Sequence, residues 1–101
     1  MKLSGLVLLV GRDETLLTTR RWVLEAAGNR VRVASQVQEV AQMVSEEAIS
    51  LMLLCQTLSQ DETMKLQALG RELEVPTMQL EGSVAPVTLI EAVQHGLQTA
   101  S

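Results

Sequence analysis

Two stretches, Leu6-Val7-Leu8-Leu9-Val10 and Leu51-Met52-Leu53-Leu54-Cys55, are apolar at every position. A run of five without polar alternation is what a strand covered on both faces requires. What covers such strands has to come from the segments between and after them.

Those segments carry helical spacing. Asp13 is placed to cap a helix in which Leu16, Arg20, Val23, Leu24 and Ala27 share one face. Gly28-Asn29 closes it with residues that tolerate the left-handed conformation. Arg30–Ala34 alternates, with Val31 and Val33 on one side and Arg30 and Arg32 on the other, as at a sheet edge. Val37, Val40, Ala41 and Val44 mark a second helix. A strand is predicted over Ile49–Cys55, and Ser59-Gln60-Asp61-Glu62 has the form of a capping box. The helix it opens turns Leu66, Leu69 and Leu73 inward, with Gly70 on the same face for close approach to a sheet. Val75-Pro76 ends that helix, because proline restrains its predecessor to extended geometry. Thr77–Leu80 reads as a short strand and Glu81–Ala85 as a loop. Pro86 takes the first position of a last helix with Leu89, Ile90, Val93 and Leu97 inward.

The order is β-α-β-α-β-α-β-α. Strands alternating with helices imply right-handed crossovers and a parallel sheet with helices on both faces. The expected fold is therefore α/β: a single domain over 1–101, a flavodoxin-like three-layer sandwich with four strands and at most a stub of a fifth.

Composition removes several function classes. The net charge is −4, and the densest basic patch is Arg20-Arg21 with Arg30 and Arg32, accompanied by Trp22, the only aromatic residue. Nucleic-acid binding calls for a basic face, often with stacking rings, so no nucleic-acid partner is expected. One cysteine cannot form an internal disulfide. The apolar run after Lys2 stops at Gly11-Arg12-Asp13-Glu14, too soon for a signal peptide or a membrane span, so a cytoplasmic location is expected. There is no G-x-G-x-x-G or Walker A loop, and no ring to sandwich a flavin; no cofactor and no small-molecule substrate is expected. The methionines at 43, 52, 64 and 78 are scattered and read as core filling.

"LVLLVGRDE", "LEAAGNRVRVASQVQEV", "ISLMLLCQ" and "EVPTMQLEG" together resemble the receiver domain of bacterial two-component response regulators. The resemblance spans most of the chain. It implies a phosphoacceptor aspartate after the third strand, acids after the first to hold Mg²⁺, Thr or Ser after the fourth, and Lys after the fifth. A carboxylate that attacks phosphorus needs a hard cation and a lysine to neutralise the transferring oxygens. On that pattern Cys55 takes the phosphoacceptor position. Gly11 and Arg12 stand in the metal-binding turn, Glu81 at the hydroxyl position and Ala85 at the lysine position. Asp13 has two readings, helix N-cap or metal ligand, and the cap is preferred. Arg12 beside Cys55 is expected to stand in for the metal as a cation.

Cys55 also has two readings. A nucleophilic thiol needs a base and a lowered pKa, and the only histidine, His95, falls on the polar side of the last helix. The structural reading, a small residue capping a central strand, is preferred. The alternative is a thiol-dependent redox protein or an unconventional phosphoryl acceptor, its thiol activated by a neighbour such as Arg12. Glu81 reads as a solvated loop carboxylate.

Compared with a full receiver, about one helix and one strand are missing after the fourth strand. This would leave the edge of Thr77–Leu80 open, and Met78, Leu80, Val84, Pro86, Leu89 and Ile90 as a candidate interaction surface. Edge pairing in a homodimer, a strand supplied by another protein, and a monomer with Val84-Ala85 as a stub strand all fit. The expected function is a non-phosphorylatable, non-enzymatic receiver-like adaptor working by protein contact; a self-assembling structural subunit is the other alternative.

Overall fold

A computed structural model describes residues 6–80 and 85–99. Its elements are β1 (Leu6–Val10), α1 (Glu14–Ala26), β2 (Arg30–Ala34), α2 (Val37–Glu46), β3 (Leu51–Leu54), α3 (Gln60–Glu72), β4 (Thr77–Gln79) and α4 (Pro86–Thr99). The described strands form one parallel sheet in the order β2-β1-β3-β4. The chain steps outward from β1 to β2, then returns across β1 to β3.

The apolar runs are buried because the sheet is covered on both sides. Val7, Leu9, Leu51 and Leu53 pack with Leu17 and Leu24 of α1 and Leu89 and Val93 of α4. Leu6, Leu8, Val10, Met52 and Leu54 face the other way, toward Val40 of α2 and Leu66 of α3. Each fully buried leucine contributes about 1.5–3 kcal/mol by transfer from water. With Val31 and Ala34 of β2, strand residues divided between two faces thus make up about half of the core.

The helix ends follow local chemistry. The Asp13 carboxylate accepts the Leu16 N–H at 3.1 Å, so the cap reading holds. Ser59 and Glu62 close their capping box reciprocally. Past α1, Gly28 adopts φ +97°, and the Asn29 N–H reaches back to the Leu24 carbonyl. This is a Schellman turn. The same turn ends α3, with Glu74 at φ +59° in the position glycine favours and Val75 N–H donating to the Gly70 carbonyl at 2.7 Å. Gly70 is needed for close approach: a Cβ there would lie 2.5 Å from Thr77 Cγ2 and 2.9 Å from the Val75 carbonyl oxygen.

Some expected inward positions turn out. On α1 the buried residues are Leu17, Arg20 and Leu24, while Leu16 is only half-buried. Ala27 is exposed because it is the C-cap, where the chain already leaves the helix. Leu73 is exposed for the same reason at the end of α3. Ala41 faces solvent because α2 seats Val40 and half-buries Val37, Met43 and Val44 instead. Met64 is 60% exposed and fills no core. The third and fourth strands end earlier than predicted, though Cys55 N–H to Val10 and Leu80 N–H to Leu54 continue the ladder. Val84 and Glu81, and with them the stub fifth strand, lie outside the described residues.

Candidate functional site

In an open α/β sheet, ligand sites form at the carboxyl ends of the strands where the strand order reverses. Here that point lies between β1 and β3, and the loops leaving them meet over it. Gly11 follows β1 and is buried, its N–H donating to the Ala34 carbonyl at 3.1 Å. A Cβ on Gly11 would sit 2.9 Å from Cys55 Cβ and 3.0 Å from Thr57 Oγ1. The loops are so close that the position admits only glycine without rearrangement.

Arg12 comes next and leaves the core. Its N–H donates to Thr57 Oγ1 at 2.8 Å, which ties the β1–α1 loop to the β3–α3 loop. Its guanidinium forms an ion pair with Glu62 at the start of α3, with Nε also donating to Oε1 at 3.4 Å. Glu62 accepts the Ser59 N–H as well. The hydrogen bond from Arg12, helped by that backbone donor, lowers the Glu62 carboxyl pKa to about 2. The same partnership raises the Arg12 guanidinium.

Cys55 follows β3 and is 2% exposed. The cation beside it is Arg20 and not Arg12. Arg20 reaches from the inward face of α1, is 4% exposed, and donates from Nη1 to Cys55 Sγ at 3.1 Å. Burial pushes the thiol pKa up, and the Arg20 hydrogen bond and charge offset this only in part. The expectation that Arg12 would act on the thiol fails because Glu62 draws its side chain out to solvent.

These residues do not fit a divalent cation of the kind receivers use. Hard cations need several oxygen ligands. Asp13 caps α1 and Glu62 is paired with Arg12. Among the described residues no group of three His, Cys, Asp or Glu side chains converges. Among the described residues no histidine faces the thiol either: His95 is exposed on α4. An open cleft of about 680 Å³ flanks the mouth beside Arg12, Asp13, Glu14, Ser35, Gln36 and Thr57. A second, of about 470 Å³, lies over Leu54, Cys55, Leu58 and Leu80. Ala85 is exposed just ahead of α4, its carbonyl accepting the Leu89 N–H at 2.9 Å.

The expected interaction surface divides. Leu80 and Leu89 are buried in the core, 6% and 1% exposed, because the ladder carries Leu80 inward and α4 seats Leu89 on the sheet. Met78 and Ile90 are half-buried, and Pro86 is exposed. β4 is an edge among the described strands. The Pro76 carbonyl and Leu80 N–H face β3, so Thr77 and Gln79 turn their backbone groups outward.

Sequence reading missed Thr57, and it missed both arginine partners. Arg20 on an apolar helix face and Glu62 in the capping box were visible, but not what each would reach.

No protein-family model matches the sequence, and no curated protein matches it. Solved structures do match. A signal receiver domain from Vibrio parahaemolyticus superposes with a TM-score of 0.83 at 15% identity, over 97% of this chain and 93% of that one. A CheY-like receiver domain protein from Methanospirillum hungatei gives 0.77 at 18% identity, over 98% and 97%. This chain has the fold of a response regulator receiver domain. A response regulator from Thermotoga maritima adds a TM-score of 0.69 at 17% identity, over 98% of this chain and 80% of that one. Against the receiver fold, the layers are as expected, and none of the described helices is long and apolar enough to cross a membrane.

Proposed function

We propose that this receiver-like domain signals by protein contact without phosphotransfer. The supporting observation is the mouth of its sheet. A neutral, buried thiol stands at the end of β3, and a glycine with no room for a side chain stands at the end of β1. The first exposed side chain of the mouth is a cation already paired with Glu62. Among the described residues, a phosphoryl group arriving there meets neither a carboxylate nucleophile nor a set of metal ligands. The redox alternative is disfavoured by the raised thiol pKa and the absence of a facing base among the described residues.

The contact face in this reading is the β4 edge with the exposed start of α4. Thr77, Met78 and Gln79 carry no charge to discourage a pairing strand. A strand from a second copy, or from another protein, extends the sheet there by main-chain hydrogen bonds. Met78, Pro86 and Ile90 flank the added strand.

Two measurements test the reading. Incubation with a small-molecule phosphodonor and Mg²⁺ leaves the intact mass unchanged; a phosphoryl increment on Cys55 would overturn it. Strand addition is weakened by Gln79→Lys, which places a charge on the edge. If partner binding or self-association survives that substitution unchanged, the β4 face is the wrong one.

A further inference from the structure

The turns that end α1 and α3 are alike, but they carry different residues at the left-handed position. After α1 that residue is Gly28, at φ +97°; after α3 it is Glu74, at φ +59°. Glycine takes such a conformation freely, whereas a residue with a Cβ crowds the following carbonyl. Among the described residues Glu74 is the only non-glycine at positive φ. It is exposed, and the turn is closed over it by the Val75 N–H, which donates to the Gly70 carbonyl at 2.7 Å. Pro76 already restrains Val75 to extended geometry. The strain of the short connection from α3 to β4 therefore sits at one residue.

The packing divides at the same place. The core on the α2 and α3 side of the sheet draws all its buried residues from between Leu6 and Leu66, ahead of the connection. β4 and α4 add buried residues to the opposite core alone, where Leu80, Leu89 and Val93 join Val7, Leu9, Leu51 and Leu53. The strand is held to β3 over a short ladder, Thr77–Gln79 against Met52–Leu54. The helix is seated closely: a Cβ on Gly96 would lie 3.1 Å from Leu51 Cδ1 and from Met78 Cε. β4 with α4 is thus a block docked on one face of the sheet and joined to the rest through a strained residue.

We propose that β4 and α4 exchange between two copies of this chain, with Glu74 as the hinge. Each β4 then pairs with the β3 of the other copy, and each α4 sets Leu89 and Val93 into the other copy's core. The block needs no new complementarity, because every contact it makes in the dimer is one the closed chain already makes. What differs is the hinge, where Glu74 leaves the left-handed region in both copies. Short connections under strain favour exchange for this reason. Concentration favours the dimer, and the entropy of two free chains favours the monomer. Interconversion is slow, since α4 has to leave the core first. The outer edge of β4 stays free in the dimer, so the exchange does not depend on strand addition there.

The test is refolding at high concentration. The full chain is unfolded in urea and refolded at hundreds of micromolar, with a thiol reductant present so that Cys55 cannot link copies. It is then diluted to micromolar, and its mass is read by light scattering. A dimer fraction is expected that survives dilution for hours. Its amide NMR spectrum should match that of the monomer everywhere but at residues 73–76, because all other neighbours are kept. Glu74→Gly is expected to lower the dimer-to-monomer ratio about tenfold, and Glu74→Val, which is worse at positive φ, to raise it. Refolding that gives monomer alone overturns the proposal, as does a dimer ratio that neither substitution changes. So does a dimer that separates at once on dilution, shifts Thr77 and Gln79 and is lost in Gln79→Lys; that outcome is strand addition at the β4 edge.

Discussion

Arg20 and Arg12 both serve the mouth of the sheet, yet they have opposite surroundings. Arg20 lies beneath it, 4% exposed, and donates to a thiol; Arg12 lies above it, with its side chain 55% exposed, and pairs with a carboxylate. Desolvation decides the first case. Removing a charge from water is costly, so the acid beside Arg20 stays protonated and its pKa rises. In the second case solvent keeps both charges inexpensive, and the hydrogen bonds to Glu62 take its pKa down to about 2. The two environments meet at the carboxyl ends of β1 and β3, where the strand order reverses. In this chain the buried side carries a protonated thiol and the solvent side an ion pair.

The largest expected effect comes from forcing an acid into the buried side. Gly11→Asp sets a Cβ 2.9 Å from Cys55 Cβ and brings a carboxylate beside it. Overpacking and burial of the charge together should cost about 3 kcal/mol or more, read from the urea midpoint. A midpoint close to wild type would mean the loops separate easily and that the mouth is not closed by packing.

Cys55→Ala is next. It takes a hydrogen-bond acceptor from a buried guanidinium, at a cost of about 1–3 kcal/mol. Cys55→Ser, which keeps an acceptor, should lose less, and the difference between the two variants isolates the contact with Arg20.

The thiol also gives a pH dependence. Its folded pKa lies above the ordinary value of 9.0, so the native state holds its proton longer than the unfolded chain does. The resulting stability is complete below pH 9 and is lost as pH rises through the folded value. Wild type should lose stability over that window relative to Cys55→Ala, and alkylation of the native thiol should be slow until denaturant is added.

The smallest effect belongs to the exposed pair. Glu62 has a lowered pKa, so its contribution is present above pH 4.5 and lost as pH falls through about 2. Glu62→Gln should flatten that acid limb of the stability profile, and added salt should mimic the substitution at neutral pH. If Glu62→Gln proved more damaging than Cys55→Ala, the contrast between a buried and a solvated pair would be reversed.

The sheet was legible from its sequence because burial on both faces leaves no alternation in β1 and β3. Caps were legible because Asp13, Ser59 and Gly28 act within a turn of themselves. The rotation of α1 was harder to read, since Leu16 and Leu17 both satisfy a helical period and only the packed sheet chooses Leu17. The mouth was the least legible part. Arginine is long enough to serve either of two loops, so spacing put Arg12 near Cys55 while the fold delivered Arg20 from the helix behind. The surface reading erred for a related reason. Leu80 and Leu89 border an open edge in sequence, but an edge strand still buries one side against the core.

The most direct measurement is an amide NMR titration of the full chain with Mg²⁺ and then with fluoroberyllate, a phosphoryl mimic. No saturable shifts are expected at residues 10–13 and 55–58, because Cys55 is neutral and Arg12 is engaged by Glu62. Saturable shifts in both loops on adding the mimic would contradict this and would place a phosphoryl site in this domain.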